Sequence, residues 1–400
     1  MKGYDVVVVG ARVAGASTAM LLARAGLRVA LVDRGTYGSD TLSTHALMRA
    51  GVLQLSRWGL LERVVAEGTP PVRSVTFHYP GTEPVHVSIK PSPGVAALYA
   101  PRRHVLDRIL VDAAAAAGAD VQFGTTVTGL LRDEHDRVAG VRGIRGTAGD
   151  REVRLGAAVT VGADGIRSVV AREGGARVVR QGRAAGAVLY RYASGLPAAG
   201  YEWAYGASAA AGLIPTNDGR TGVFVSTTPQ RMKALRRSGT DAAFRALVAR
   251  AAPALQERVA AAGETGRTRG WSGVPGFVRR SSGPGWALVG DAGYFKDPIT
   301  AHGITDALRD AELLADEILE AVAGGTPEPV ALCRYQATRD RLSHRMLEAT
   351  EAVAAYDWDI DRVQRLLRQV SSAMSDELDH LESRGRDRLD RRLGTEWTRT

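Results

Sequence analysis

Cysteine is nearly absent from this chain: Cys333 is the only one in 400 residues. That excludes an intramolecular disulfide and fits a reducing, cytoplasmic setting, with Cys333 itself expected as a small buried apolar residue. Lysine is also scarce, confined to Lys2, Lys90, Lys233 and Lys296. The formal charge of +9 and pI near 9.9 therefore come almost wholly from arginine spread along an Ala- and Gly-rich chain. That pattern reads as a GC-rich coding bias of bacterial type. No arginine run interleaves with aromatics and no zinc-ligand spacing occurs, so neither nucleic-acid binding nor a metal site is expected. Aromatics make up only 6%. No apolar run is long enough to span a bilayer, and the first strand begins too early to leave room for a signal peptide.

The length suggests two or three structural units able to bury a large ligand. Tyr4 to Val9 is a short β-branched run, as in a strand buried on both faces. It enters GARVAG, residues 10–15, then the helix former ASTAMLLARAG, then a second strand ending at Asp33. This is one βαβ unit with an acid about 20 residues beyond the loop. Gly10 permits the tight turn and Gly15 lets the helix pack close to the sheet, with the pyrophosphate resting on the helix's positive end, and Val13 and Ala14 are further candidate cofactor contacts. Arg12 stands where a glycine is usual. It can still offer its backbone N–H if its φ is negative, and its side chain adds a cation near the phosphates. Asp33 suits the ribose of FAD or NAD equally, and Arg34 beside it suits a 2′-phosphate.

Three further segments bear on the cofactor. WALVGDAGYFKDPITAHGITDALRDAELLADEI, residues 286–318, reads as a strand, Gly290-Asp291, a loop, and a long amphipathic helix. VTVGADGIRSVVAR, residues 159–172, is strand, Asp164-Gly165, helix. APRRHVLDRILVDAAAAAGADV places an arginine at a helix start. Together with the first loop these resemble the FAD-dependent oxidoreductases of the para-hydroxybenzoate hydroxylase type, the group A flavin monooxygenases, and their relatives among geranylgeranyl reductases and flavin-dependent halogenases.

The resemblance, spanning about residues 1–325, implies an α/β fold: a Rossmann-like FAD-binding domain, an inserted antiparallel-sheet substrate domain and a C-terminal helical region. It gives Gly10, Gly15 and Asp33 to the adenosine and pyrophosphate of FAD, and Arg103, with Leu106 and Leu110, to its phosphate or ribityl region. Asp291 would hold a ribityl hydroxyl. Asp164 would support the flavin and the approach of NAD(P)H. Pro298, Ala301, His302, Gly303 and Ile304 would meet the flavin ring, with Ala301 replacing a usual glycine and Thr305 a usual asparagine. Arg49 is a further candidate cofactor contact.

The expected boundaries are residues 1–72, 98–174 and 273–328 for the FAD-binding domain, 73–97 and 175–272 for the substrate domain, and 329–400 for the helical region. The substrate sheet would roof the flavin. In YEWAYG, Tyr201, Trp203 and Tyr205 are candidate substrate contacts, with an ordinary packed sheet face as the alternative. The C-terminal region reads as a helical cap, with a homodimer contact as the alternative. His45 and His302 are candidate catalytic groups, each also readable as a structural histidine. Lys296 is expected to be exposed.

Among reactions, the family favours monooxygenation by NAD(P)H and O2 through a flavin C4a-hydroperoxide on a small aromatic, polyketide or prenyl-like natural product. Reduction of a C=C bond is the alternative; halogenation and a non-enzymatic flavoprotein follow. No second dinucleotide loop occurs, so NAD(P)H would bind transiently or a partner flavin reductase would supply electrons.

Overall fold

The computed structural model describes residues 2–146 and 151–397, with the backbone alone described at residues 2, 264, 265 and 386–397. The strand Lys2–Val9 leads into helix α1, Val13–Arg24, and returns as the strand Val29–Val32. Two further helices on this domain matter below: α2, Arg49–Arg57, and α3, Arg103–Ala116. The strands Trp286–Leu288, Arg151–Gly162, Lys2–Val9, Val29–Val32 and Asp120–Gln122 lie in that order, all parallel. Val7 pairs with Ala30 on one side and Thr160 on the other, so the first strand is central and covered on both faces. Its apolar run follows from that position.

A second sheet of seven strands is the one expected as the roof. Its order is Gly263–Trp271, Ala187–Ser194, Thr221–Thr227, Ala209–Pro215, Tyr201–Gly206, Ser74–His78 and Val85–Ser88. The two sequence inserts thus meet in one sheet, joined by the parallel pairing of Trp203 with Phe77. Alternation gives the sheet two apolar faces. Leu189, Val223 and Val225 pack against Phe244, Leu247 and Val248 of the helix behind it. Tyr190, Tyr192, Tyr201, Trp203, Tyr205 and Phe224 face the other way.

Four more helices bear on the site: α4, Val169–Glu173; α5, Gly303–Val322; α6, Glu328–Ala354; and α7, Ile360–Trp397. Helix α5 packs on α1 and on α6, and α6 on α7. The sequence pattern of α5 reads as amphipathic, but its residues 304–315 are all buried. Asp306, Arg309, Asp310 and Glu312 are covered by α2, α6 and α7, so its polar face meets polar partners instead of water. Cys333 is exposed on α6, contrary to expectation. Among the described residues no helix is long and apolar enough to cross a membrane.

Candidate active site

The first loop closes tightly. Gly10 has φ 104°, and a Cβ there would stand 2.4 Å from the Ala163 carbonyl oxygen. A Cβ on Gly15 would stand 1.8 Å from the Gly10 carbonyl oxygen. Both positions therefore admit only glycine. Arg12 has φ −91°, so the non-glycine at the middle position costs no left-handed strain. Asp33 anchors the loop: its Oδ2 accepts from the Ala11 N–H at 2.7 Å and its Oδ1 from the Gly35 N–H at 2.6 Å.

The Arg12 side chain is not a loose phosphate cation. It donates to Asp107 Oδ2 and to the Ser39 carbonyl, each at 2.8 Å. Arg103 shares that carboxylate, donating to Asp107 Oδ1 at 3.1 Å along α3. Two arginines thus converge on one acid at the cleft edge, beside a hollow lined by Asp33, Thr36, Tyr37, Ser39 and Arg108.

Helix α1 begins without a side-chain cap or an acid in its first turn. Its positive end is therefore unneutralised, with Val13 and Ala14 buried there. Helix α5 also begins uncapped, at Gly303. Gly290 brings the two together: a Cβ on it would lie 3.0 Å from Ala14 Cβ and 3.6 Å from Ala307 Cβ. Next to it, Asp291 is exposed and has no hydrogen-bond partner among the described residues. Protein around the carboxyl still holds water off and pushes its pKa up to about 6, while Lys296 and Arg103 pull it down. Gly303 is exposed between buried His302 and buried Ile304, and a Cβ there would meet nothing within 4 Å.

These features fit FAD. Two positive helix ends, one unpaired acid and a glycine facing open space match a diphosphate, a polyol and a flat ring. The loop before α5 is the one expected to meet the ring. Asp297 caps the turn Pro298–Thr300 through the Ile299 N–H at 3.0 Å, and Ala301 then takes φ 49°. Ala301, standing where a glycine is usual, therefore holds a left-handed backbone conformation.

Several expected contacts lie elsewhere. Asp164 spends its carboxylate on its own turn, accepting from the Ser168 hydroxyl at 2.5 Å and the Val169 N–H at 2.7 Å, and so tethers the start of α4. Its neighbour Ala163 meets the cofactor loop through backbone. Arg49 donates to the Lys90 carbonyl at 2.7 Å and to Ser92 Oγ at 2.9 Å, fastening the 73–97 insert instead of the cleft. Arg34 is exposed without a partner among the described residues. Lys296, expected at the surface, is buried in an ion pair with Asp306.

The two candidate histidines differ. His302 is enclosed, its Nε2 2.6 Å from Glu377 on α7. Glu377 also accepts from Arg309 at 2.8 Å, and Arg309 in turn reaches Asp306, Asp310 and Ser343. Burial works against the Glu377 charge, but His302 and Arg309 hold its pKa below the ordinary carboxylate value. Ligand atoms of His302, Asp306 and Glu377 lie within 4.8 Å of one another, yet Lys296 and Arg309 already supply the positive charge a metal ion would bring. The cluster is an ion-pair lock between the ring loop and the last helix.

His45 instead faces the roof. Its Nε2 lies 2.5 Å from the Tyr192 hydroxyl, and its Nδ1 is buried with no hydrogen-bond partner. Burial, reinforced by Arg103, drives its pKa down to about 3, so the ring is neutral. Its φ is 62°. Arg102 lies over the Tyr192 ring at 4.3 Å and pairs with Asp40 at 2.8 Å. Around them, Tyr190, Trp203, Tyr205 and Phe224 form one buried cluster with Ile299 and Ala301 of the ring loop. Tyr201 belongs to the same face, but its hydroxyl is committed to the Tyr99 carbonyl at 2.6 Å.

The glycine loop and the two uncapped helix ends fit a class of protein, the FAD-dependent oxidoreductases. The chain belongs to the FAD binding domain family, which matches residues 3–350. A digeranylgeranylglycerophospholipid reductase of Methanosarcina mazei is 26% identical over 406 residues, covering 95% of this chain and 92% of that protein. Among solved structures, the flavin-dependent brominase Bmp2 superposes with TM-score 0.78 at 19% identity, covering 96% of this chain and 100% of that one. PqsL of Pseudomonas aeruginosa, a probable FAD-dependent monooxygenase, gives 0.77 at 22%, covering 94% and 100%. At those identities the structural likeness establishes the fold.

Sequence reasoning missed Tyr192, Asp107, Arg309 and Glu377. Only the run of charges on α5, falling among residues otherwise suited to a core, carried a signal for any of them.

Proposed function

We propose that this oxidoreductase reduces a C=C bond in an apolar, prenyl-like substrate lying between the ring loop and the roof. The observation that carries the reading is the neutral His45 bonded to Tyr192 in an aromatic chamber. Adding two hydrogens across a double bond needs a hydride at one carbon and a proton at the other. FAD, held by the α1 and α5 ends, Asp33, Asp291 and the loop from Pro298 to Ile304, supplies two-electron hydride chemistry when bound. The chain supplies the proton. Burial raises the Tyr192 pKa, so the phenol stays protonated over the working pH range. With Nε2–H donating to the Tyr192 oxygen, His45 stabilises the negative charge that grows there as the proton leaves, and solvent restores it. Asp107 and Arg103 act on cofactor placement, and Trp203 and Tyr205 shape the chamber. The reductase of Methanosarcina mazei lends support through its similarity over nearly the whole chain.

The test is product mass. The FAD-loaded protein, reduced by dithionite and given geranylgeraniol, is expected to return a product heavier by two hydrogens for each bond reduced. With NAD(P)H and air, a product heavier by one oxygen atom would overturn this reading in favour of monooxygenation.

A further inference from the structure

Six described non-glycine residues hold a positive φ, and three of them, Asp136, Ser208 and Asp218, sit in hairpin turns. The other three are His45 at 62°, Ala301 at 49° and Tyr356 at 56°. Left-handed backbone outside a tight turn persists only where the surroundings fix it, and such residues gather at functional sites. His45 and Ala301 border the chamber. Tyr356 lies in the connection between α6 and α7, which the dinucleotide fold does not require.

That connection nevertheless reaches the same chamber. A Cβ on Gly186, just before the roof strand Ala187–Ser194, would lie 2.8 Å from the Tyr356 hydroxyl oxygen and 3.3 Å from Asp297 Oδ1. Tyr356 is thus wedged between roof and ring loop. The Trp358 ring meets Tyr205 edge-on, with centroids 5.9 Å apart at 76°, and lies 5.9 Å from the Tyr356 ring. Its indole N–H donates to the Val353 carbonyl at 2.8 Å, which fixes the ring across the turn. Both aromatic rings share one buried cluster with Ile299, Ala301 and Tyr192. Helix α7, which leaves this turn, carries Glu377, and Glu377 holds His302 of the ring loop.

We propose that the Tyr356 to Trp358 turn is the specificity wall of the reaction chamber, selecting apolar ring-shaped or isoprenoid ligands by length. This rests on the placement of the chamber given under the proposed function. Roof and ring loop form two sides, and the turn closes the third, with the Trp358 indole setting the depth. The Glu377 to His302 bond keeps wall and loop in register, because one helix carries the wall and grips the loop.

The experiment uses the full chain loaded with FAD. Phenol, 1-naphthol and farnesol are titrated as probes, and the shift in bound-flavin absorbance gives a Kd for each. Replacing Trp358 by Ala is expected to improve farnesol relative to phenol by about tenfold, close to 1.4 kcal/mol. W358F, which keeps an aromatic ring and the fold, is expected to shift the same ratio less and in the same direction. Unchanged ratios in W358A and W358F, or in W358F alone where W358A does not fold, would overturn the proposal. So would the absence of any flavin response to the probes. Shifted ratios without any hydrogenated product would leave the wall standing and remove the reductase reading.

Discussion

His302 and Glu377, 75 residues apart in sequence, share a buried 2.6 Å contact that joins the loop at the flavin site to the last helix. Glu377 also neutralises Arg309. Replacing it with Ala leaves a buried guanidinium and an imidazole each short of a partner. A loss of about 3–5 kcal/mol in chemical denaturation is expected. E377Q keeps the shape and hydrogen bonds without the charge, and is expected to lose less. A loss below about 1 kcal/mol in E377A would show that the lock is decorative.

Gly303 separates fold from cofactor. A Cβ there meets open space, so G303A is expected to melt at the wild-type temperature in the absence of FAD. With the flavin placed against this loop as proposed, the same methyl crowds it, and FAD affinity is expected to fall about tenfold or more. Titration with FAD, followed by flavin fluorescence, checks both statements against one protein.

Ala301 holds φ 49°, a conformation that glycine adopts freely and a β-branched residue resists. A301G is expected to retain FAD binding and to change stability by no more than about 1 kcal/mol, while A301V is expected to lose about 2 kcal/mol or more. Thermal melts of the two variants decide whether the left-handed turn is obligatory.

His45 also holds a left-handed φ, which asparagine tolerates well. H45N therefore preserves the backbone while removing the imidazole from Tyr192. Turnover is expected to drop about a hundredfold or more in H45N and in Y192F, with FAD affinity little changed. Single-turnover reoxidation of reduced flavin by an alkene substrate measures the step itself.

The same histidine gives a pH dependence. Its folded pKa is about 3 against an ordinary value of 6.5. Between those limits the unfolded chain binds a proton that the folded chain refuses, so stability from this group is complete above the ordinary value and declines as pH falls toward the folded one. The Tm difference between wild type and H45N is expected to move against the wild type from neutral pH to about pH 4, and a constant difference would refute the assignment.

The glycine-loop motif was readable in sequence because its constraint is local. Gly10 and Gly15 are demanded by contacts within one βαβ unit, and Asp33 serves the same turn. The parallel sheet followed from apolar runs between helices, and the three alternating aromatics of YEWAYG do share a face. Arg49 and Lys296 misled for one reason: a lone long cation in a sequence carries no sign of its partner. Arg49 found the carbonyl of Lys90 on an insert, and Lys296 found Asp306 across a loop.

Sequence alone determined the βαβ start and the presence of two inserts, since each depends on residues close along the chain, while the cofactor class came from a resemblance carried by four separate segments. Tertiary structure decided which side chains share the chamber. Tyr192 meets His45, Trp358 meets Tyr205 and Glu377 meets His302 only because the roof and the last two helices fold back over the ring loop. Those pairings follow from burial. A polar or aromatic group withdrawn from water must find a partner, and the partner comes from whichever element the packing brings near.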